Sequence, residues 1–285
     1  MSESSGPTAP HPTGPPPSWP ASWRALGWVV AAASAAYTLS VPLGPALPVP
    51  PLAGALLAFL ITGAAICGVA AVCPTAKPRQ LALLLLPLGL LAAVLQLRAS
   101  LPPSVAAGLI NAALLTFGGI LGSAVGGRVE HAGHLVLLAW VASVVDVLSV
   151  FVPEGPTAQI IASPEVALPL VTLSWPIFGT GSVEPLIGVG DVTIASVYGA
   201  AARATGLRRA RLIAGQFAGF VLTFAALVAF ERALPALPML SLGVVVALAP
   251  ASLRVPAADR KKGFAFAALL TVGVAVRLGT WLWGG

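Results

Sequence analysis

The residues able to do chemistry in this chain are few. Of its three aspartates, Asp146 and Asp191 fall inside long apolar stretches, where an uncompensated carboxylate costs at least about 2.5 kcal/mol at the centre of a bilayer. Asp146 stands seven residues before Pro153, and Asp191 seven residues after Glu184. On helices rising about 1.5 Å per residue, both carboxylates would lie roughly 10 Å below one membrane surface. If the two helices are antiparallel neighbours the acids meet at one depth, with no intramembrane Lys, Arg or His at that level to neutralise them. Facing acids of this kind are expected to share a proton. Aspartyl proteolysis uses that state: the ionised carboxylate takes a proton from water as it attacks a peptide carbonyl, and the protonated one donates to the carbonyl oxygen. No metal or cofactor is required for it. Carboxylates in membrane helices also serve ion and proton paths, so on the acids alone a proton-coupled transporter stays open.

Asp191 closes the tetrapeptide Gly188-Val189-Gly190-Asp191, whose glycines would let another backbone approach the carboxylate. Further along, Leu234-Pro235-Ala236-Leu237-Pro238 opens an apolar segment; its two prolines stiffen the backbone and remove two N–H donors.

The elements that must position these residues follow from composition. The chain has 285 residues, 58% of them hydrophobic and 8% charged, with a mean hydropathy of +0.95, which excludes a water-soluble globular fold. Segments long enough to span the roughly 30 Å hydrocarbon layer occur at about 22–43, 51–73, 80–98, 103–126, 132–152, 184–204, 210–231, 236–252 and 263–283. The expected fold is an all-α polytopic membrane protein of about nine transmembrane helices. The net charge of +6 comes from small basic clusters between these segments rather than from one polar face, so nucleic acid is not an expected partner. With the N terminus in the cytoplasm, nine spans put 12 of the 15 Lys and Arg on the cytoplasmic side and leave Arg98, Arg232 and Arg277 outside, as the positive-inside rule asks. The C terminus is then outside.

Residues 1–20, rich in Pro, Ser, Gly and Thr and lacking an apolar run, are expected to form a disordered tail. Domain organisation then reads as that tail, a four-helix part over 21–131, a part over 132–252 that holds both aspartates, and one extra helix over 253–285. The one long connection, 154–183, contains the apolar stretch 166–179, where Pro164, Pro169 and Pro176 argue against a helix. Counting it as a tenth span leaves only 6 bases inside and 9 outside. It is read as extended structure near the outer interface, either a packing plug or a strand edge over a site.

Asp146 in SVVDVLSVFVP, GVGD at 188–191 and ALPALP at 233–238 together resemble, in order and spacing, the presenilin and signal peptide peptidase family of intramembrane aspartyl proteases. The resemblance covers roughly 132–252, is like that of prokaryotic homologues, and implies a presenilin-like helix bundle in a prokaryotic plasma membrane. It implies that Asp146 and Asp191 are the catalytic pair and that Gly188, Val189 and Gly190 form the active-site motif. Pro235, Ala236, Leu237 and Pro238 then correspond to the PAL segment that contacts substrate. The extended stretch, with Val171 and Leu173, occupies the place of a strand that pairs with unwound substrate, a pairing that would compensate the hydrogen bonds a helix loses on unwinding.

Val145 stands where that family usually has Tyr. Four helices precede the Asp146 helix where presenilin has five, which inverts the site and implies the signal peptide peptidase orientation, with type II transmembrane segments as substrates. The other classes weighed are a prepilin-type peptidase, an inactive homologue with the protease fold, and the transporter. The remaining polar residues have plainer expectations: Cys67 and Cys73 as core side chains, His131 and His134 as an interfacial anchor too small to bind a metal, Arg208, Arg209 and Arg211 at anionic headgroups, and Trp281 and Trp283 in an aromatic belt.

Overall fold

Prolines at helix starts set much of the architecture, because a proline in the first turn loses only an N–H that would have had no helical partner. In the computed structural model, which describes residues 19–74, 78–152, 154–162, 168–231 and 234–283, helix α1 runs Trp19–Ala46, α2 Pro51–Val72, α3 Leu85–Leu97 behind a 3₁₀ turn at Pro78–Leu84, and α4 Pro103–Gly126. Helix α5, His134–Phe151, carries Asp146. Two short helices, α6 (Pro156–Ala162) and α7 (Leu168–Val171), lead into strands β1 (Thr172–Pro176) and β2 (Val183–Gly188); α8 (Val189–Ala204), α9 (Arg209–Phe230), α10 (Leu237–Ala247) and α11 (Ala257–Trp283) complete the chain. Residues 1–18 of the expected N-terminal tail and residues Lys77, Pro153, Pro164, Val166 and Arg232 lie outside the described residues, as do the side chains of Trp281 and Trp283, while the last two tail positions, 19 and 20, already belong to α1.

The protein is a helical, multi-pass membrane protein: among the described residues, seven helices are long and apolar enough to cross a bilayer. Two of the nine expected spans are shorter than the sequence reading placed them. The segment 184–204 is not one helix; 183–188 is strand, and α8 has only 16 residues. Pro185 lacks the N–H a helix interior needs, and the glycines at 188 and 190 raise the cost of helix there. Asp191 therefore lies in the first turn of α8, so its depth is not set by seven helical residues after Glu184. Likewise 236–252 contains an 11-residue helix that gives way to a turn and a 3₁₀ segment, Ala251–Leu253, around Pro250.

The stretch at 166–179 is extended as expected over β1, but Leu168–Val171 forms the short helix α7 against that expectation, Pro169 standing in its first turn where no helical N–H is lost. Strand β1 pairs antiparallel with β2, Leu173 opposite Ile187 and Trp175 opposite Glu184, with an irregularity between Leu173 and Ser174. Trp175 packs edge-on against Tyr37 of α1, ring centroids 5.4 Å apart. At the hairpin turn Gly179 takes φ +83°, a conformation that side chains with a Cβ rarely adopt, and its N–H donates to the Gly44 carbonyl at 2.7 Å. The core centres on α8, which packs against α4 and α2, while α9 and α10 pack on each other and α10 joins α5 to the rest. Tyr198, Phe220, Ile66, Leu212 and Leu240 are fully buried there, and both cysteines are buried and free.

Candidate active site

Asp191 is placed by a change of secondary structure. Strand β2 ends at Gly188 and α8 begins one residue later, so Asp191 occupies the third helical position and its Oδ2 accepts the Gly188 N–H at 3.2 Å. A helix N-terminus has N–H groups without helical partners and a partial positive charge, and a carboxylate in the first turn suits both. Gly190 next to it is exposed, and a Cβ built there would meet nothing within 4 Å, so the backbone beside the carboxylate is open to a second chain.

Asp146 reaches the same neighbourhood from the middle of a continuous helix. Its Oδ2 accepts the N–H of Leu237 at 2.9 Å, and the Ala236 N–H lies close by. The carboxylate thus caps the start of α10, where Pro235 and Pro238 reduce the available N–H groups and leave those of Ala236 and Leu237 to the acid. Asp146 and Asp191 are near enough for the charge of one to act on the other. Asp146, Asp191, Gly188 and the Ala236-Leu237 peptide therefore converge, from elements up to 91 residues apart in sequence. Val145, 53% exposed, is the neighbour of Asp146 on α5 and so projects about a quarter-turn away from it.

The two substrate contacts expected on the first half of the ribbon differ in exposure. Leu173 is only 1% exposed and packs in the hydrophobic core, and Val171 is half-buried at the end of α7. The outer edge of β1 is also occupied. Asn111 of α4 donates through Nδ2 to the Ser174 carbonyl at 2.6 Å and accepts the Ser174 N–H through Oδ1 at 2.9 Å, filling the place of a neighbouring strand. Since Ser174 directs both backbone groups away from β2, its partner Pro185 directs its carbonyl to the far side of β2. That edge is exposed at Val183, Glu184 and Pro185 and ends at Gly188, whose N–H is held by Asp191. The open edge thus belongs to β2, and it runs directly into the acid.

Asn111 escaped the sequence reading. It is the only asparagine in the chain and sits in the apolar interior of a helix, a signal that a buried amide needs a partner. Tyr198 and Ser241, joined by a buried 2.7 Å hydrogen bond between α8 and α10, are a second polar contact supporting the site. His134 ties the start of α5 to Asp259 of α11 through a 3.0 Å pair, and His131 Nδ1 accepts the Gly133 N–H at 3.0 Å. Among the described residues no three His, Cys, Asp or Glu side chains converge as metal ligands would. No family model, characterised protein or solved structure compared with the chain matches it.

Proposed function

We propose that the protein is an intramembrane aspartyl endopeptidase of the presenilin and signal peptide peptidase type, hydrolysing peptide bonds within transmembrane segments. The observation that carries this reading is the convergence of three separated motifs. The Asp146 carboxylate bonds the Pro-Ala-Leu backbone at Leu237 and lies within electrostatic reach of Asp191 of the GVGD turn.

In the proposed reaction one carboxylate is ionised and the other protonated. The ionised one removes a proton from a water molecule, whose oxygen bonds to the scissile carbonyl carbon while the protonated one gives its proton to the carbonyl oxygen. Collapse of the tetrahedral intermediate returns that proton, breaks the C–N bond and sends the other proton to the leaving amine. A transmembrane helix must be unwound before its carbonyl carbon can be attacked, and in lipid the freed backbone groups need new partners. The exposed edge of β2 supplies them: a substrate strand added there would be led past Gly188 to Asp191. The sequence expectation of a pairing strand is thereby transferred from 166–179 to 183–188.

The short α8 and α10 complete nine crossings in this reading, the first with the strand ribbon ahead of it and the second with its turn and 3₁₀ segment. The distribution of 12 bases against 3 then puts the N terminus inside and the acids nearer the outer face, which fits type II substrates in a prokaryotic plasma membrane. The test is to reconstitute the purified protein in liposomes with a tagged single-span substrate and map the products by mass spectrometry. Two new termini within the span are expected. Intact substrate, with substrate-dependent proton flux across the vesicle, would replace this reading with a transporter.

A further inference from the structure

Beside the β2 edge lies a cavity of about 290 Å³, near the lower limit for sites that take small groups, enclosed by the end of α3, the first turns of α4, α7 and the ribbon. Its walls are apolar, among them Leu101, Ile110, Leu170, Val183 and Pro185, and among the described residues Arg98 is the one charged side chain that lines it. Arg98 is exposed and, among the described residues, has no ion-pair partner: the only pairs are His134 with Asp259 and Arg277 with Glu154. Glu184, the nearest acid in sequence on the ribbon, pairs opposite Trp175 and projects from the other face, since Val183 and Pro185 line the cavity and neighbours in a strand alternate.

From this placement we infer that the Arg98 cavity is a specificity pocket, which selects substrates carrying an acidic residue near the scissile bond. The inference rests on the protease reading above. A strand added to β2 would alternate its side chains between the two ribbon faces, and every second one would face the side where Val183 and Pro185 line the cavity. Those two residues precede Gly188 by five and three positions. A substrate residue three to five positions from the bond held at Asp191 therefore comes under the guanidinium, its stem against apolar walls and its carboxylate on Arg98. An anionic group there forms a charge-assisted hydrogen bond, whereas a lysine meets a like charge in a site partly shielded from water.

The experiment uses the full chain in liposomes and single-span substrates that differ only in bearing Asp or Lys at each position three to five residues to either side of the mapped bond. At one such position wild type is expected to cleave the Asp substrate at least about tenfold faster than the Lys substrate, and Arg98→Glu is expected to invert that preference. The ratio is read within one preparation, so it does not depend on how much of the variant is folded. A wild-type ratio near one at every position, or a preference unchanged in Arg98→Glu, overturns the inference while leaving proteolysis standing. Rates that follow the phosphatidylglycerol content of the vesicles in wild type but not in Arg98→Glu, at a constant Asp to Lys ratio, also overturn it by giving the cavity to a lipid. Absence of cleavage of every substrate overturns the protease reading itself, and the specificity pocket with it.

Discussion

Asp191 and Asp146 lie within electrostatic reach of each other, but the helices that carry them are held in different ways. Helix α8 is buried along its length from Ala195 to Ala202 and lies so close to α4 that a Cβ at Gly118, Gly122 or Gly126 would run into Val192, Ser196 or Val197. Close approach of small residues is how helices associate in lipid, where burial of apolar surface gives no net drive. Helix α5 buries only Leu135, Ala139, Ala142 and Val144. It is attached through α10, by way of the Asp146 to Leu237 hydrogen bond, and through α11, by the pairs His134–Asp259 near one end and Arg277–Glu154 at the other. The contrast separates a carboxylate on an enclosed helix from one on a helix that is less buried and packs mainly on α10 and α11, so in the proposed reaction adjustment of the pair is expected on the Asp146 side.

Breaking the close seam should have the larger effect. Gly122→Leu forces a branched side chain into the α8 backbone at Thr193 and Val197, a displacement that packed interiors resist at a cost of about 1–3 kcal/mol or more. Thermal unfolding in detergent should show a clear drop in Tm, with proteolytic cleavage of substrate lost alongside it. A Tm equal to wild type would mean that α8 is not seated against α4 as described.

Loosening the α5 side should cost far less stability. The Arg277–Glu154 pair is 3.0 Å long, but its side chains are 56% and 66% exposed, and pairs of that kind contribute about 0–1 kcal/mol. Arg277→Ala is therefore expected to leave Tm within a few degrees of wild type while hydrogen exchange over α11 and the end of α5 quickens. Exchange that accelerates equally in α8 would remove the proposed distinction between the two seats.

Much of the frame could be read from the sequence because its punctuation is local. Pro51 and Pro103 start α2 and α4 where the apolar runs begin, and the Gly126-Gly127 pair ends α4 where the run ends. The ribbon was half legible: the prolines pointed to extended structure before the turn, which holds for Pro176 at the end of β1 but not for Pro169, which lies in the short helix α7. Beyond the turn, apolar residues hid β2 inside an assumed helix, because hydropathy counts Pro185 as harmless to a membrane span although its missing N–H is not. The acids were conspicuous through the scarcity of charge, yet their partners were not. Asp146 bonds a backbone N–H 91 residues away and Asn111 a backbone 63 residues away, and main-chain groups carry no mark in a sequence of which elements will meet. The Arg98 cavity was invisible for the same reason, since α3, α4 and the ribbon form it only once packed.

In the proposed protease Asp146 and Asp191 act as one catalytic unit. The most direct test is single-turnover cleavage of one tagged substrate by wild type, Asp146→Asn, Asp191→Asn and the double variant, each checked for an unchanged helical signal. Groups that share one proton-transfer step fail together, and each is expected to contribute about 10²- to 10⁴-fold. Both single variants are expected to fall by that order, to the same residual rate as the double variant. A single variant that retains near wild-type cleavage, or two losses that multiply independently in the double variant, would contradict the proposed pairing.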